Sequence, residues 1–303
     1  MKKIFFVLLA AMLTQPIFSQ YYYHNNKYYE SDLTFEIGGS IGMMNCLTDL
    51  GGRKGIGKGF IKDLNLKNSN FDAGVFFMAS YQNKVAVRLE ATMGSIEAYD
   101  SILKKVKTST YGRYERNLSF RSEIRELQLS VEVHPLFILN NYDEEPPRFS
   151  PYAIAGIGLF SFDPEAKLDG NWIRLQPLRT EGQGFREYRD RKPYHLTQFN
   201  FPVGIGVRYE LNDNLNVRME LVHRILTTDY LDDVSKTYIN PDLFPTYLSP
   251  QQAALAQRLY DRHAELDPAY IPKSGEIRGD PKNNDSYFSL QLKLSYSFGR
   301  ERR

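Results

Sequence analysis

The chain has 303 residues, 24% of them charged and 14% aromatic, with a formal net charge of +2 and a single cysteine. One cysteine excludes an intramolecular disulfide framework, and no concentrated basic patch marks a nucleic-acid surface. Mean hydropathy is −0.45, a value compatible with a soluble protein but also with a membrane barrel, where half of each strand faces a polar lumen and the loops are polar.

Residues 1–19 read as a secretory signal peptide. Lys2 and Lys3 form the positive region, an apolar core runs from Ile4 to Leu13, and Ser19 is a small residue suited to the cleavage site. The core is too short to span a bilayer comfortably. Cys46 lies too far along to be a lipidated N-terminus. Residues 20–32 are expected to be a periplasmic segment, 33–299 a barrel and 300–303 a periplasmic tail.

Eight segments carry strand periodicity at the length a tilted barrel strand needs. The clearest is the last, Tyr287-Phe288-Ser289-Leu290-Gln291-Leu292-Lys293-Leu294-Ser295-Tyr296-Ser297-Phe298, where every second residue is apolar. The others span 33–43, 71–81, 85–96, 124–133, 149–160, 197–211 and 215–226. The fifth is rich in Ala and Gly, and its facing is ambiguous. Three connections are short: Gln82-Asn83-Lys84, Asn212-Asp213-Asn214 and the turn over 140–148. Four are long. That asymmetry predicts an all-β fold, an eight-stranded antiparallel outer-membrane barrel with both termini at the short-turn, periplasmic side. The lumen of such a barrel is filled by side chains. The inward charges Arg88, Glu90, Glu126, Glu132, Arg208, Glu210, Arg218 and Glu220 come in both signs and are expected to neutralise one another. In the last long loop, Ser249-Pro250 is a helix start and 251–265 reads as helix, with Leu255, Leu259 and His263 along one face. Such a helix is either a lid or a docking face.

Motifs for chemistry are weak. Gly38-Gly39-Ser40-Ile41-Gly42 matches a nucleophile elbow, but strand alternation runs straight through Ser40. The 52–59 run resembles a phosphate loop but has Gly59 where Ser or Thr is required. Its basic residues instead fit a surface loop. Asp229, Asp232 and Asp233 offer oxygen ligands of the kind calcium takes, without the spacing of a known loop. Among His24, His134, His195, His223 and His263, none pairs with a serine at convincing spacing for a lipid-modifying barrel enzyme. No enzyme activity, cofactor or committed metal site is therefore expected.

Two segments carry a family resemblance: Phe35-Glu36-Ile37-Gly38-Gly39-Ser40 through Thr48-Asp49-Leu50-Gly51-Gly52, and Thr228-Asp229-Tyr230-Leu231-Asp232-Asp233-Val234-Ser235-Lys236-Thr237-Tyr238. Both resemble the PorG-like outer-membrane barrels of Bacteroidetes, from whose shortest members the helical last loop departs. The resemblance implies an accessory or anchoring role in the type IX secretion system. It implies periplasmic ring lipoproteins as partners, outer-membrane lipid around the barrel and no catalysis. The working surfaces would then be, by topology, the 21–29 segment, the turn bearing Asp143, Glu144 and Glu145, and the tail with Arg300, Arg302 and Arg303. The alternatives are an OmpA- or OmpX-like surface barrel whose outer loops bind ligands or cells, and a lipid A-modifying enzyme.

Overall fold

The computed structural model describes residues 32–51, 68–109, 112–139, 147–271 and 273–298. The wall consists of β1 (Leu33–Leu47), β2 (Asn70–Tyr81), β3 (Val85–Tyr99), β4 (Ser119–Val133), β5 (Phe149–Ser161), β8 (Thr197–Glu210), β9 (Leu215–Leu226) and β10 (Ser286–Phe298). Each pairs antiparallel with its neighbours, and β1 closes on β10, from Phe35 opposite Phe298 to Leu47 opposite Ser286. A closed ladder leaves no edge, which is what a sheet in hydrocarbon requires. A hairpin, β6 (Glu165–Leu168) and β7 (Asn171–Arg174), extends the outer end of β4 through the pair Arg121 and Glu165.

Burial is inverted relative to a soluble protein. Outward positions such as Ile37, Val75, Leu89, Leu129, Ile205, Met219 and Leu292 are exposed, whereas Arg88, Arg208, Arg218 and Arg224 are among the largest fully buried side chains. On β8 the exposed apolar face runs from Phe199 to Tyr209. Ten residue steps of about 3.4 Å, tilted by roughly 40°, give a belt about 26 Å tall. Tyr81, Tyr209 and Tyr296 ring its short-turn edge, where a phenol keeps its ring in the belt and its hydroxyl in water. This is a transmembrane barrel of the outer-membrane kind.

The eight strands stand where the alternation places them and with the expected facing; six of them run longer at one end, and β8 stops at Glu210, one residue short of the expected 211. β3 and β4 continue above the belt through the pairs Glu97–Arg121 and Tyr99–Ser119, because alternation gives way there to polar outward residues that still pair. β5 resolves its ambiguity. Ala153, Ala155, Ile157 and Leu159 face outward and Tyr152, Ile154 and Phe160 face inward. The expected helix is shorter, Pro250–Leu259, with the capping box at Ser249 and Gln252. Its buried face is Ala253, Ala256 and Leu259, not Leu255, Leu259 and His263, so His263 falls beyond it in a separate helical turn.

The described parts of the four long loops do not splay. They fold into one cap whose core includes Leu50, Leu118, Phe162, Leu178, Phe185, Leu231, Ile239, Phe244 and Leu259, continuous with Phe120, Phe160 and Tyr287 at the top of the lumen. The helix is part of this lid. Its Arg258 pairs with Asp169 on the β6–β7 turn at 2.9 Å.

Candidate functional site

Two buried polar assemblies could carry function: the lumen and the base of the cap. In the lumen, alternation on β3, β4, β9 and β10 aims opposite charges at one another. Arg88 contacts Glu132 at 2.7 Å, Glu90 at 3.2 Å and both carboxylate oxygens of Glu220. Lys293 reaches Glu90 at 2.5 Å and Glu220 at 3.1 Å. Arg218 forms a fork on Glu36 at 2.6 and 3.0 Å, and Arg224 meets Glu126 at 3.1 Å. Arg208 contacts Glu210 at 3.3 Å. All eight charges read as inward from the sequence join this network. Lys293 and Arg224 join it too, although the sequence reading did not single them out. Phe76 is wedged among three cations, with Arg88 at 5.6 Å, Arg218 at 5.9 Å and Lys293 at 5.4 Å from its ring centre. Gly206 leaves room for the Tyr152 ring, 2.5 Å from where a Cβ would stand. The Tyr152 hydroxyl can thus donate to Glu220 at 2.6 Å. This interior is a plug.

One arrangement in the plug was not legible as a motif. His134 lies 3.0 Å from the Ser150 hydroxyl through Nδ1 and 3.5 Å from Glu132 through Nε2. Nucleophile, base and acid stand in the order of a hydrolytic triad. All three are fully buried, and the imidazole is covered by Tyr152 and Phe137, with ring centres 5.0 and 6.3 Å away. No substrate carbon reaches Ser150 in this state, so the three serve as lumen packing. The serine, on β5, and the histidine, one residue past the end of β4, are 16 residues apart, a separation no local motif reveals. Of the other candidates, Ser40 is buried in the straight run of β1 between Gly74 and Lys293. His223 sits on the outward face of β9 opposite Phe288 and Val203. The 52–59 run, Asp143, Glu144, Glu145, Arg300, Arg302 and Arg303 lie outside the described residues.

The Asp229–Asp233 run is the knot of the cap. Asp232 accepts from the Leu50 and Val234 amides at 3.2 and 2.9 Å, tying the first long loop to the last. Asp233, in the left-handed region at φ 64°, accepts from Tyr194 at 2.7 Å and from Thr180 in the third loop. Glu181 accepts from the Ser235 and Lys236 amides at 3.0 Å and from Arg278 at 3.1 Å. Arg116 of the second loop donates to Asp100 at 2.8 and 2.9 Å, to the Arg278 carbonyl at 2.6 Å and to the Asp49 carbonyl at 2.7 Å. Asp232, Asp233, Glu181 and Arg116 thus splice segments of all four loops together. Of the three candidate calcium ligands, Asp232 and Asp233 point at different partners. Among the described residues no group of three or more His, Cys, Asp or Glu side chains is placed to hold a metal ion.

The knot is short of positive charge. Burial, and then the charges of Asp49 and Asp232, raise Asp229 to about 8. Burial with Asp49 beside it raises Asp232 to about 8. Burial raises Asp233 to about 6 against the opposing pull of Arg278. Asp285 and Asp49 are displaced upward, first by burial and then by neighbouring carboxylates. Asp229 and Asp232 thus hold their protons to far higher pH in the folded cap than ordinary aspartates do.

No family model matches the chain, and no curated protein does. Among solved structures, a major outer membrane protein from Thermus thermophilus is 12% identical, with 88% of this chain and 99% of that one covered and a TM-score of 0.40. OprG from Pseudomonas aeruginosa is 11% identical, with 91% and 99% covered and a TM-score of 0.39. Outer Membrane Protein W of E. coli is 12% identical, with 89% and 99% covered and a TM-score of 0.34. At such values these likenesses add nothing to what the closed register and the exposed apolar belt already establish.

Proposed function

We propose that this chain is a non-enzymatic, non-conducting outer-membrane barrel acting as an anchor or accessory subunit of a protein-secretion machine of the type IX kind. The observation that carries the non-conducting part is the lumen. Arg88, Glu90, Glu132, Glu220 and Lys293 fill its cross-section as one ion-paired cluster under a folded cap. A barrel stoppered in this way works through its surfaces. The secretion role rests on the PorG-like segments of the sequence. On this reading the cap is extracellular, and the short turns and both termini face periplasmic partners. The helical turn Pro135–Leu139 leads into the acidic 140–146 stretch and presents exposed Ile138 and Leu139, which supports a contact surface at that end.

The test is gentle detergent extraction of a tagged copy from its native membrane, with mass spectrometry of what accompanies it. Ring lipoproteins and secretion components are the expected companions. A clean monomer, alone at low salt and after mild crosslinking, overturns the reading.

A specific observation favours a second reading, a surface barrel that binds through its cap. Leu266, Ile271 and Ile277 are the only large exposed apolar side chains of the cap among the described residues. Exchanging all three for serine impairs function under this reading and leaves the secretion role intact.

A further inference from the structure

One lumen carboxylate departs from the pairing of the others. The inward positions of the described strands carry seven carboxylates and five cations, Arg88, Arg208, Arg218, Arg224 and Lys293. Six of the carboxylates meet one of these cations at 3.3 Å or less. Asp72 of β2 does not, although it is fully buried. Its Oδ1 accepts from the Gln291 amide at 2.6 Å, and its Oδ2 has no partner. The Oε1 of Gln291, a residue also fully buried, has none either. The amide cannot be turned round, because Nε2 is the atom that must face the carboxylate. Two buried acceptors on one bonded pair therefore lack a donor, and one of them is charged. A buried charge needs a partner of opposite sign. A proton on Oδ2 would find no acceptor and would leave Oε1 as it is, whereas a cation serves both oxygens.

Glycines bring these groups together. Gly42 and Gly94 stand opposite Asp72 on β1 and β3, and Gly74 is the next inward position along β2. With no side chain at Gly42, Gln291 lies across β1, its Cγ 2.8 Å from where a Cβ would stand, and reaches Asp72 two strands away. Over Gly74 converge the hydroxyls of Ser40 and Thr92, 2.8 and 3.1 Å from its Cβ position. The Ser40 hydroxyl is likewise buried without a partner. Lys293 stands opposite Ser40, but its ammonium is taken by Glu90 and Glu220. Met44 and the cap core at Phe120, Phe160 and Tyr287 close the outer end of the lumen. One carboxylate among neutral oxygens makes a hard site with a single charge. Such a set suits a monovalent alkali cation, whereas calcium draws on several carboxylates.

We propose that the outer part of the lumen binds one sodium ion at Asp72, with Gln291 Oε1 and the Ser40 hydroxyl as neutral ligands. The proposal rests on the lumen alone and is independent of the secretion role. The test is urea unfolding of the full chain, folded into micelles in sodium chloride or in choline chloride. Both salts are held at the same ionic strength, about 0.15 M, so that screening is equal. The wild-type midpoint is expected about 0.5 M urea higher in sodium, the shift produced by a ligand at roughly ten times its dissociation constant. Asp72→Asn keeps the shape without the charge and should bring the two midpoints together. Equal midpoints in wild type overturn the proposal, because a proton then neutralises Asp72. A sodium advantage that survives Asp72→Asn also overturns it, because the ion then binds elsewhere. Should Asp72→Asn not fold, Gln291→Met keeps the length and removes Oε1, and an undiminished sodium advantage in that variant overturns the proposal.

Discussion

In the lumen, carboxylates are matched by cations. Glu220 meets Arg88 and Lys293, Glu36 meets Arg218, and Glu126 meets Arg224. In the cap, Asp49, Asp229, Asp232 and Asp285 crowd one another and raise each other's affinity for protons. Both regions are buried and both are polar. The lumen keeps its charges by pairing them, whereas the cap keeps its carboxylates by holding protons and donating backbone amides to them. The first arrangement is sensitive to the loss of a partner, the second to pH.

The largest expected effect breaks the lumen. Arg88→Met leaves Glu132 without its 2.7 Å partner and Glu90 and Glu220 with Lys293 as their remaining ion-pair partner. Removing one member of a buried ion network costs about 3–5 kcal/mol. Urea unfolding in micelles, followed by loss of the compact electrophoretic form, should register it. Arg88→Met with Glu220→Gln should recover part of the loss, because one stranded charge goes with its partner. A double variant no more stable than the single would show that packing, not charge, carries the cost. In planar bilayers the wild-type barrel should show no stepwise conductance.

Next comes the cap lock. Arg116→Ala removes the donor that ties Asp100 to the Asp49 and Arg278 carbonyls. The expected outcome is rapid protease cleavage in the loops with the urea midpoint of the barrel unchanged. A lowered barrel midpoint would mean that cap and wall unfold as one unit, as their shared core at Phe120, Phe160 and Tyr287 permits.

The comparison also shows what a single sequence can carry. The wall was legible because alternation is local, and one outward residue such as Leu290 implies the next, Leu292. The lumen charges followed from the same rule. The cap was not legible. Its knot joins Leu50 to Asp232 and Arg116 to Arg278, contacts 182 and 162 residues apart, between segments with no period. The β6–β7 hairpin was missed because strands of four residues are too short to show alternation. Asp229, Asp232 and Asp233 were noticed as a cluster, but only the fold reveals that two of them accept loop amides and hydroxyls instead of meeting at a cation.

The pH prediction follows from the sign of the cap's shifts. Asp229 and Asp232 bind their protons up to about 8 in the folded cap and up to 3.8, their ordinary value, when exposed. Between those values the folded cap holds more protons than the open one, so its stability falls as pH rises. Protection of the last loop from protease should be complete near pH 5 and decline toward pH 8.5. Asp232→Asn, neutral throughout, should flatten that decline. An increase in protection with pH would refute the assignment.

The smallest effect tests the rim where cap meets wall. Trp172, the sole tryptophan, carries the Arg121 guanidinium 3.8 Å from its ring centre, and Arg121 also pairs with Glu165 at 2.9 Å. Arg121 is 44% exposed, so the stack contributes about 0.5–1 kcal/mol and the ion pair less. Arg121→Ala should red-shift Trp172 emission while leaving the urea midpoint of the barrel and the pH profile of the cap where they were. The hairpin shares a single ladder pair with β4, Arg121–Glu165, so its loosening is expected to leave the ladders below intact. A displaced pH profile in Arg121→Ala would instead tie the hairpin to the Asp232 knot through the Leu118, Ala166 and Leu175 packing that lies between them, and the rim would then count as part of the cap's titrating unit.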